Sequence, residues 1–107
     1  MKANSFNERV WNKMCRIPRG KVTTYKELAK ALNTKAYRAV GNACRRNPYA
    51  PKVPCHRVVK TNGTIGGFAG EVAGKNIRKK IVLLAKEDVV VQNGEVVDFE
   101  KCLFKFR

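Results

Sequence analysis

The chemistry of this chain concentrates where Cys55 is followed by the only histidine, His56, and then by Arg57. A cysteine acts as a nucleophile in its ionised form, and neighbouring cations with no acid close in sequence favour the thiolate. Pro48, Pro51 and Pro54 fall within seven residues ahead of it. Each fixes φ, removes a backbone donor and disfavours helix, so the segment 47–59 reads as a rigid, extended or turning connection. A sulfur held on such a segment has little freedom to swing away, which suits an activated nucleophile. The competing reading is plain packing. A lone cysteine is usually a small buried hydrophobe, and adjacency along the chain does not bring two side chains together.

The other cysteines, Cys15, Cys44 and Cys102, form no Cys-x-x-Cys pair, and no His-x-x-x-His accompanies them. A zinc site has little support, and neither metal nor other cofactor is expected. An even count could form disulfides. The N-terminus lacks the apolar core and small-residue cleavage site of a secretory signal, so reduced thiols in a cytoplasmic or nucleoid-associated protein are expected. No apolar run approaches a bilayer span, and no membrane partner is expected. The 107 residues, 44% of them hydrophobic, make one domain (1–107) with a single modest core.

Charge narrows the partner. Lys and Arg number 23 against 8 acids, a formal +15. Such an excess opposes compaction and points to a polyanion. Between Leu28 and Gly70 there is no acid, while Lys30, Lys35, Arg38, Arg45, Arg46, Lys52, Arg57 and Lys60 all lie there. A basic surface with no specific task is the bland alternative; the one-sided field favours nucleic acid.

The elements that must hold these residues follow from periodicity and caps. Ser5 and Glu8 have the spacing of a capping box, and Phe6, Val10, Met14 and Ile17 recur on one helical face up to Pro18. Thr24 and Glu27 repeat the cap, opening a second helix to about Asn33. A third follows almost at once. Ala36, Ala39, Val40, Ala43 and Cys44 form its inner stripe, with Arg38, Asn42 and Arg45 opposite and Gly41 on or near that outer face. Two short helices joined tightly, the second basic outside, make a helix-turn-helix over about 25–46. An ordinary helical hairpin with solvated arginines is the alternative. Beyond Cys55, Val58-Val59 reads as a brief strand and Asn62-Gly63 as a tight turn. Gly66 to Gly70, around Phe68, is a glycine-rich loop without a phosphate-binding lysine, so it is a close-approach wall. An amphipathic helix to about Lys86 follows, and then a hairpin at Asn93-Gly94 and an aromatic tail packing on the core. The fold class is α+β, winged-helix-like, with a helix-turn-helix and short β hairpins.

Taken together, Pro54-Cys55-His56-Arg57-Val58-Val59 resembles the active-site motif of the O6-alkylguanine-DNA alkyltransferases, in the manner of their catalytic C-terminal-type domain. Gly20 to Tyr25, Arg38-Ala39-Val40-Gly41, Asn47-Pro48 and Leu83 to Glu87 match that family in order and spacing from about Phe6 to Glu87. The resemblance implies a single-turnover repair protein. Cys55 attacks the alkyl carbon on O6 of guanine, His56 draws the thiol proton through a water, Glu87 orients the imidazole, and Asn47 ties the network to the neighbouring turn. It further implies base flipping from duplex DNA, with Arg38 filling the vacated stack and Tyr25 pressing on the target phosphate. Gly41, Arg45 and Arg57 complete the expected DNA contacts, and Val58, Ile65, Phe68, Ala69 and Gly70 the substrate pocket (loop 65–70). A monomer acting on double-stranded DNA carrying O6-alkylguanine is expected.

Three departures from the family's pattern stand out. Phe68 replaces a common tyrosine, Ala69 a frequent serine, and the chain starts almost at the catalytic domain where many members carry an extra one. The alkyltransferase-like proteins, which flag lesions without repairing them, typically lack the cysteine, so Cys55 argues for transfer. A winged-helix regulator with a structural cysteine is the remaining alternative.

Overall fold

Ser5 opens the first helix as its spacing requires: its hydroxyl accepts from the Glu8 amide at 3.1 Å, and its own amide donates to the Glu8 carboxylate at 3.0 Å. The structure, a computed structural model, describes residues 5–49, 52–65 and 75–106. Helix α1 spans Phe6–Met14. It stops short of Ile17 because the residue before Pro18 is pushed out of the helical region. Tight turns, Arg16 N to Lys13 O and Ile17 N to Met14 O, still deliver Ile17 into the core.

Strand β1 (Thr23–Thr24) leads directly into α2 (Tyr25–Ala31), with the Thr24 hydroxyl capping the Glu27 amide. Asn33 ends α2 in the left-handed region, at φ 59°. The Thr34 amide then reaches back to Ala29 O and the Asn33 amide to Lys30 O, the paired closure of a Schellman cap. That tight stop sends the chain into α3 (Tyr37–Arg45), giving the helix-turn-helix. Trp11 on α1 donates its indole N–H to Ala43 O at 2.7 Å, fixing the third helix on the first.

Cys55–Arg57 forms a 3-10 turn and Val58–Val59 strand β2. Strand β2, whose partner local sequence does not specify, pairs parallel with β1, Thr23 opposite Val58 and Thr24 opposite Val59. Period-two alternation then splits the interior in two. Val58 joins Val10, Met14, Ile17, Leu28, Val40 and Ala43 under the three helices. Val59 joins Val22, Ile65, Leu84, Val89 and Val96 on the other side. Helix α4 (Lys75–Ala85) covers the second cluster. The hairpin of β3 (Val91–Gln92) and β4 (Glu95–Val96) turns on Asn93 and Gly94, both at positive φ as such a two-residue turn demands. After a short α5 (Phe99–Cys102), Leu103 lies beside Val22. Phe104 and Phe106 meet edge to face and pack on the helical cluster. The class is α+β, and no helix among the described residues is long and apolar enough to cross a membrane.

Candidate active site and nucleic-acid interface

Two local stops bring His56 and Glu87 together. Ahead of Cys55, Asn47 donates to Val53 O at 2.7 Å and accepts from the Tyr49 amide at 2.9 Å, folding the proline-rich approach back on itself. The Cys55 amide then bonds Val53 O and the Arg57 amide bonds Pro54 O, closing the turn. At the far end of α4, Asp88 takes the left-handed conformation, at φ 66°. The Val89 amide returns to Leu84 O and the Asp88 amide to Ala85 O, a second Schellman closure. Arg19 also donates to Lys86 O. Glu87 is therefore held at a fixed helix end, facing the turn.

There its Oε2 lies 3.1 Å from His56 Nε2. Arg57 donates Nε to Glu87 Oε1 at 2.8 Å, Nη2 to Oε2 at 2.6 Å, and Nη1 to Ile17 O at 2.8 Å. The guanidinium expected on the DNA face is thus turned inward, where its planar fork matches the buried carboxylate. Burial alone would raise the Glu87 carboxyl; bonds from Arg57 and His56 more than reverse this and hold it below its ordinary value. Burial lowers His56 and outweighs the pull of Glu87, with Arg57 and Lys80 adding to the lowering, so the imidazole is neutral at neutral pH. With Nε2 as the donor to Glu87, the lone pair rests on Nδ1. Among the described residues, that nitrogen is the buried side-chain polar atom with no hydrogen-bond partner. An accepting nitrogen so oriented is what a general base needs.

The thiol differs from expectation. Burial pushes Cys55 above its ordinary value, while the Asn47 side chain, the Lys80 ammonium and a backbone hydrogen bond pull it down. Sequence neighbours predicted a favoured thiolate; desolvation wins, and the resting sulfur is a thiol that must hand its proton to a base. Tyr25, at the start of α2, packs with Cys55 against the helical cluster. Its hydroxyl is raised by burial first and then by the Cys44 and Cys55 sulfurs, so it stays a proton donor.

Arg38 and Arg45 are exposed on α3, and Arg45 donates to Asn42 Oδ1 on the same face. A Cβ built on Gly41 would meet nothing within 4 Å, so that face is open. Val58 and Ile65, expected as pocket walls, are buried in the helical and the second core cluster respectively. Both of their carbonyls accept from Lys80 Nζ, at 2.8 and 2.5 Å. Phe68, Ala69 and Gly70 lie outside the described residues. Lys80 and the inward role of Arg57 were missed. For Lys80 a signal existed, a lone charge on the apolar stripe of Ile77, Ile81 and Leu84.

Together these features define a small α+β domain with a helix-turn-helix and a cysteine-bearing turn whose His56 and Arg57 meet Glu87. A family profile described as "6-O-methylguanine DNA methyltransferase, DNA binding domain" matches residues 5–89, and the chain belongs to that family. It is similar to a methylated-DNA--protein-cysteine methyltransferase of Methanosarcina mazei, 45% identical over 85 residues, covering 78% of this chain and 52% of that protein. It is likewise similar to one of Archaeoglobus fulgidus, 45% identical over 87 residues, covering 78% and 58%. The chain thus spans little more than half the length of these curated relatives. Among solved structures it resembles Mycobacterium tuberculosis OGT in complex with DNA, with a TM-score of 0.69 and 37% identity over 80% of this chain and 51% of the other. It also resembles S. pombe Atl1 in complex with damaged DNA containing O6-carboxymethylguanine, with a TM-score of 0.76 and 27% identity over 99% and 100%.

Proposed function

We propose that this chain is the catalytic, C-terminal-type domain of a single-turnover protein that moves an alkyl group from O6 of guanine in duplex DNA to Cys55. The observation that carries the reading is the His56 ring, next after Cys55 on the same turn, bonded through Nε2 to Glu87 and with no hydrogen-bond partner on Nδ1. His56 takes the Cys55 proton through a water. The sulfur then forms its bond to the alkyl carbon as the bond from that carbon to O6 breaks. The electron pair leaves on guanine, and Tyr25 stands near to return a proton. Glu87 balances the imidazolium, and Arg57 steadies Glu87 as a positioning residue. The product is a thioether that no neighbouring group readily expels, so each molecule acts once.

A stacked base is out of reach of this sulfur, so the target must be flipped. Open space at Gly41 with exposed Arg38 and Arg45 suits close approach of α3 to a DNA backbone, and minor-groove binding tolerates any sequence context. The activity named for the relatives and the DNA bound by the structural neighbours support this reading. The full-length likeness to S. pombe Atl1 favours a second one, lesion binding without transfer. Mixing the protein with an equal amount of duplex carrying one O6-methylguanine separates them. Restoration of guanine in the DNA, stopping at one equivalent, is expected. Tight retention of unchanged lesion DNA would support the second reading and overturn the first.

A further inference from the structure

The inward turn of Arg57 removes the cation that the cysteine-bearing segment was expected to lay on DNA. Ahead of Cys55 on that segment, Pro48, Tyr49 and Lys52 are the exposed side chains among the described residues. Tyr49 is 57% exposed, the highest value among the described large apolar residues. A loose tyrosine on a surface is ordinary, but this one is fixed at both its backbone and its ring. Its amide donates to Asn47 Oδ1 at 2.9 Å, and its carbonyl accepts from the Val53 amide at 3.1 Å. Its ring stands edge to face with Trp11, the centroids 5.9 Å apart. Trp11 in turn donates its indole N–H to Ala43 O on α3 at 2.7 Å. One chain of contacts therefore runs from α3 through α1 to the approach of Cys55, and it ends on an open phenol.

We propose that Tyr49 and Lys52 are the DNA contacts of the cysteine-bearing segment: the phenol hydroxyl donates to a backbone phosphate oxygen of the duplex, and the ammonium pairs with a neighbouring phosphate. This rests on the reading that α3 lies against duplex DNA. Charge and continuity name the occupant. Arg45 and Arg46 are exposed at the end of α3, four and three positions before Tyr49, and no acid lies between Leu28 and Gly70. A surface of one sign that continues the α3 face suits the same polyanion. Phosphate contacts fix register without reading sequence, and tyrosine is among their usual donors. A ring already seated on Trp11 loses little freedom when it binds. Because Trp11 also holds α3, the helix and the Cys55 approach grip one duplex as a unit, and that sets where a flipped nucleotide meets the sulfur.

The test is binding of labelled, undamaged duplex to the full chain at several salt concentrations, in the parent, Tyr49→Phe and Lys52→Gln. Tyr49→Phe keeps the ring on Trp11 and removes only the hydroxyl. Its urea midpoint, and the emission of Trp11 as the only tryptophan, should equal the parent's. Its affinity should fall about 10-fold, the size of one lost hydrogen bond to a charged group. Lys52→Gln should lower the slope of log affinity against log salt by about 1, one phosphate contact fewer. Parent-like affinity in Tyr49→Phe, or a parent-like slope in Lys52→Gln, overturns the proposal. A second measurement needs no substitution. Saturating duplex should protect Tyr49 from acetylation by N-acetylimidazole, read by peptide mass mapping. Equal modification of Tyr49 in the free chain and the complex overturns the proposal. Protection produced by concentrating the protein alone marks a second copy as the occupant and overturns it too. These measurements read binding to undamaged DNA, so their failure is distinct from a failure of alkyl transfer.

Discussion

Arg57 grips Glu87 at two points, Nε on Oε1 at 2.8 Å and Nη2 on Oε2 at 2.6 Å, so the carboxylate that meets His56 cannot rotate away. Neither partner is more than 16% exposed, which places the pair where removing one member strands the other charge. Arg57→Met is expected to cost on the order of 3 kcal/mol in urea denaturation. Arg57→Lys should lose roughly half as much, since an ammonium keeps the charge but not the fork. Stability within error of the parent in both variants would show the clamp to be idle.

Glu87→Gln keeps the shape of the acceptor and removes its charge. The imidazolium that forms on proton transfer then loses its counter-ion, and single-turnover transfer should slow by about 10- to 100-fold, within the range of general-base effects. Binding to lesion duplex should be unaffected. A loss confined to binding would contradict the role given to Glu87.

Acid should weaken the fold in two stages. His56 titrates below its ordinary 6.5 in the folded protein, chiefly from burial, so below about 6.5 the unfolded chain takes the proton first and stability falls with pH. Glu87 is also held below its ordinary 4.5 by Arg57 and His56 against the effect of burial, so a second loss begins under about 4.5. Urea midpoints measured across this range test it. A profile flat from neutrality through the first window, or unchanged by His56→Asn there, would rule the assignment out.

On α3, stability and binding should part company. A Cβ at Gly41 meets nothing, so Gly41→Ala should stabilise the helix by about 1 kcal/mol while weakening duplex binding if this face lies against DNA. Affinity equal to the parent would place the DNA elsewhere. Arg38→Ala should weaken capture of lesion duplex more than of undamaged duplex. Equal losses on both would leave Arg38 a general electrostatic contact without a stack-filling role.

What the sequence made legible was local. The Ser5 and Thr24 caps and the Asn93-Gly94 hairpin depend on residues a few positions apart, and they form as their spacing requires; the first helix, expected to run to Pro18, ends at Met14. The thiol's state was not legible, because burial is set by the whole helical cluster and outweighs the adjacent cations. Arg57 turned inward for a carboxylate thirty positions away, and β2 found β1 across a similar distance. Lys80 is a single charge on an otherwise apolar helix stripe, and only the packed fold shows it buried.

The most direct measurement of the central claim is the mass of the peptide containing Cys55 after the protein meets duplex bearing O6-methylguanine. One methyl group on the Cys55 sulfur in the parent, and none in a Cys55→Ser variant that still binds the duplex, is the expected result. An unmodified Cys55 in protein that has bound the lesion, or a methyl group on any other residue, would contradict it.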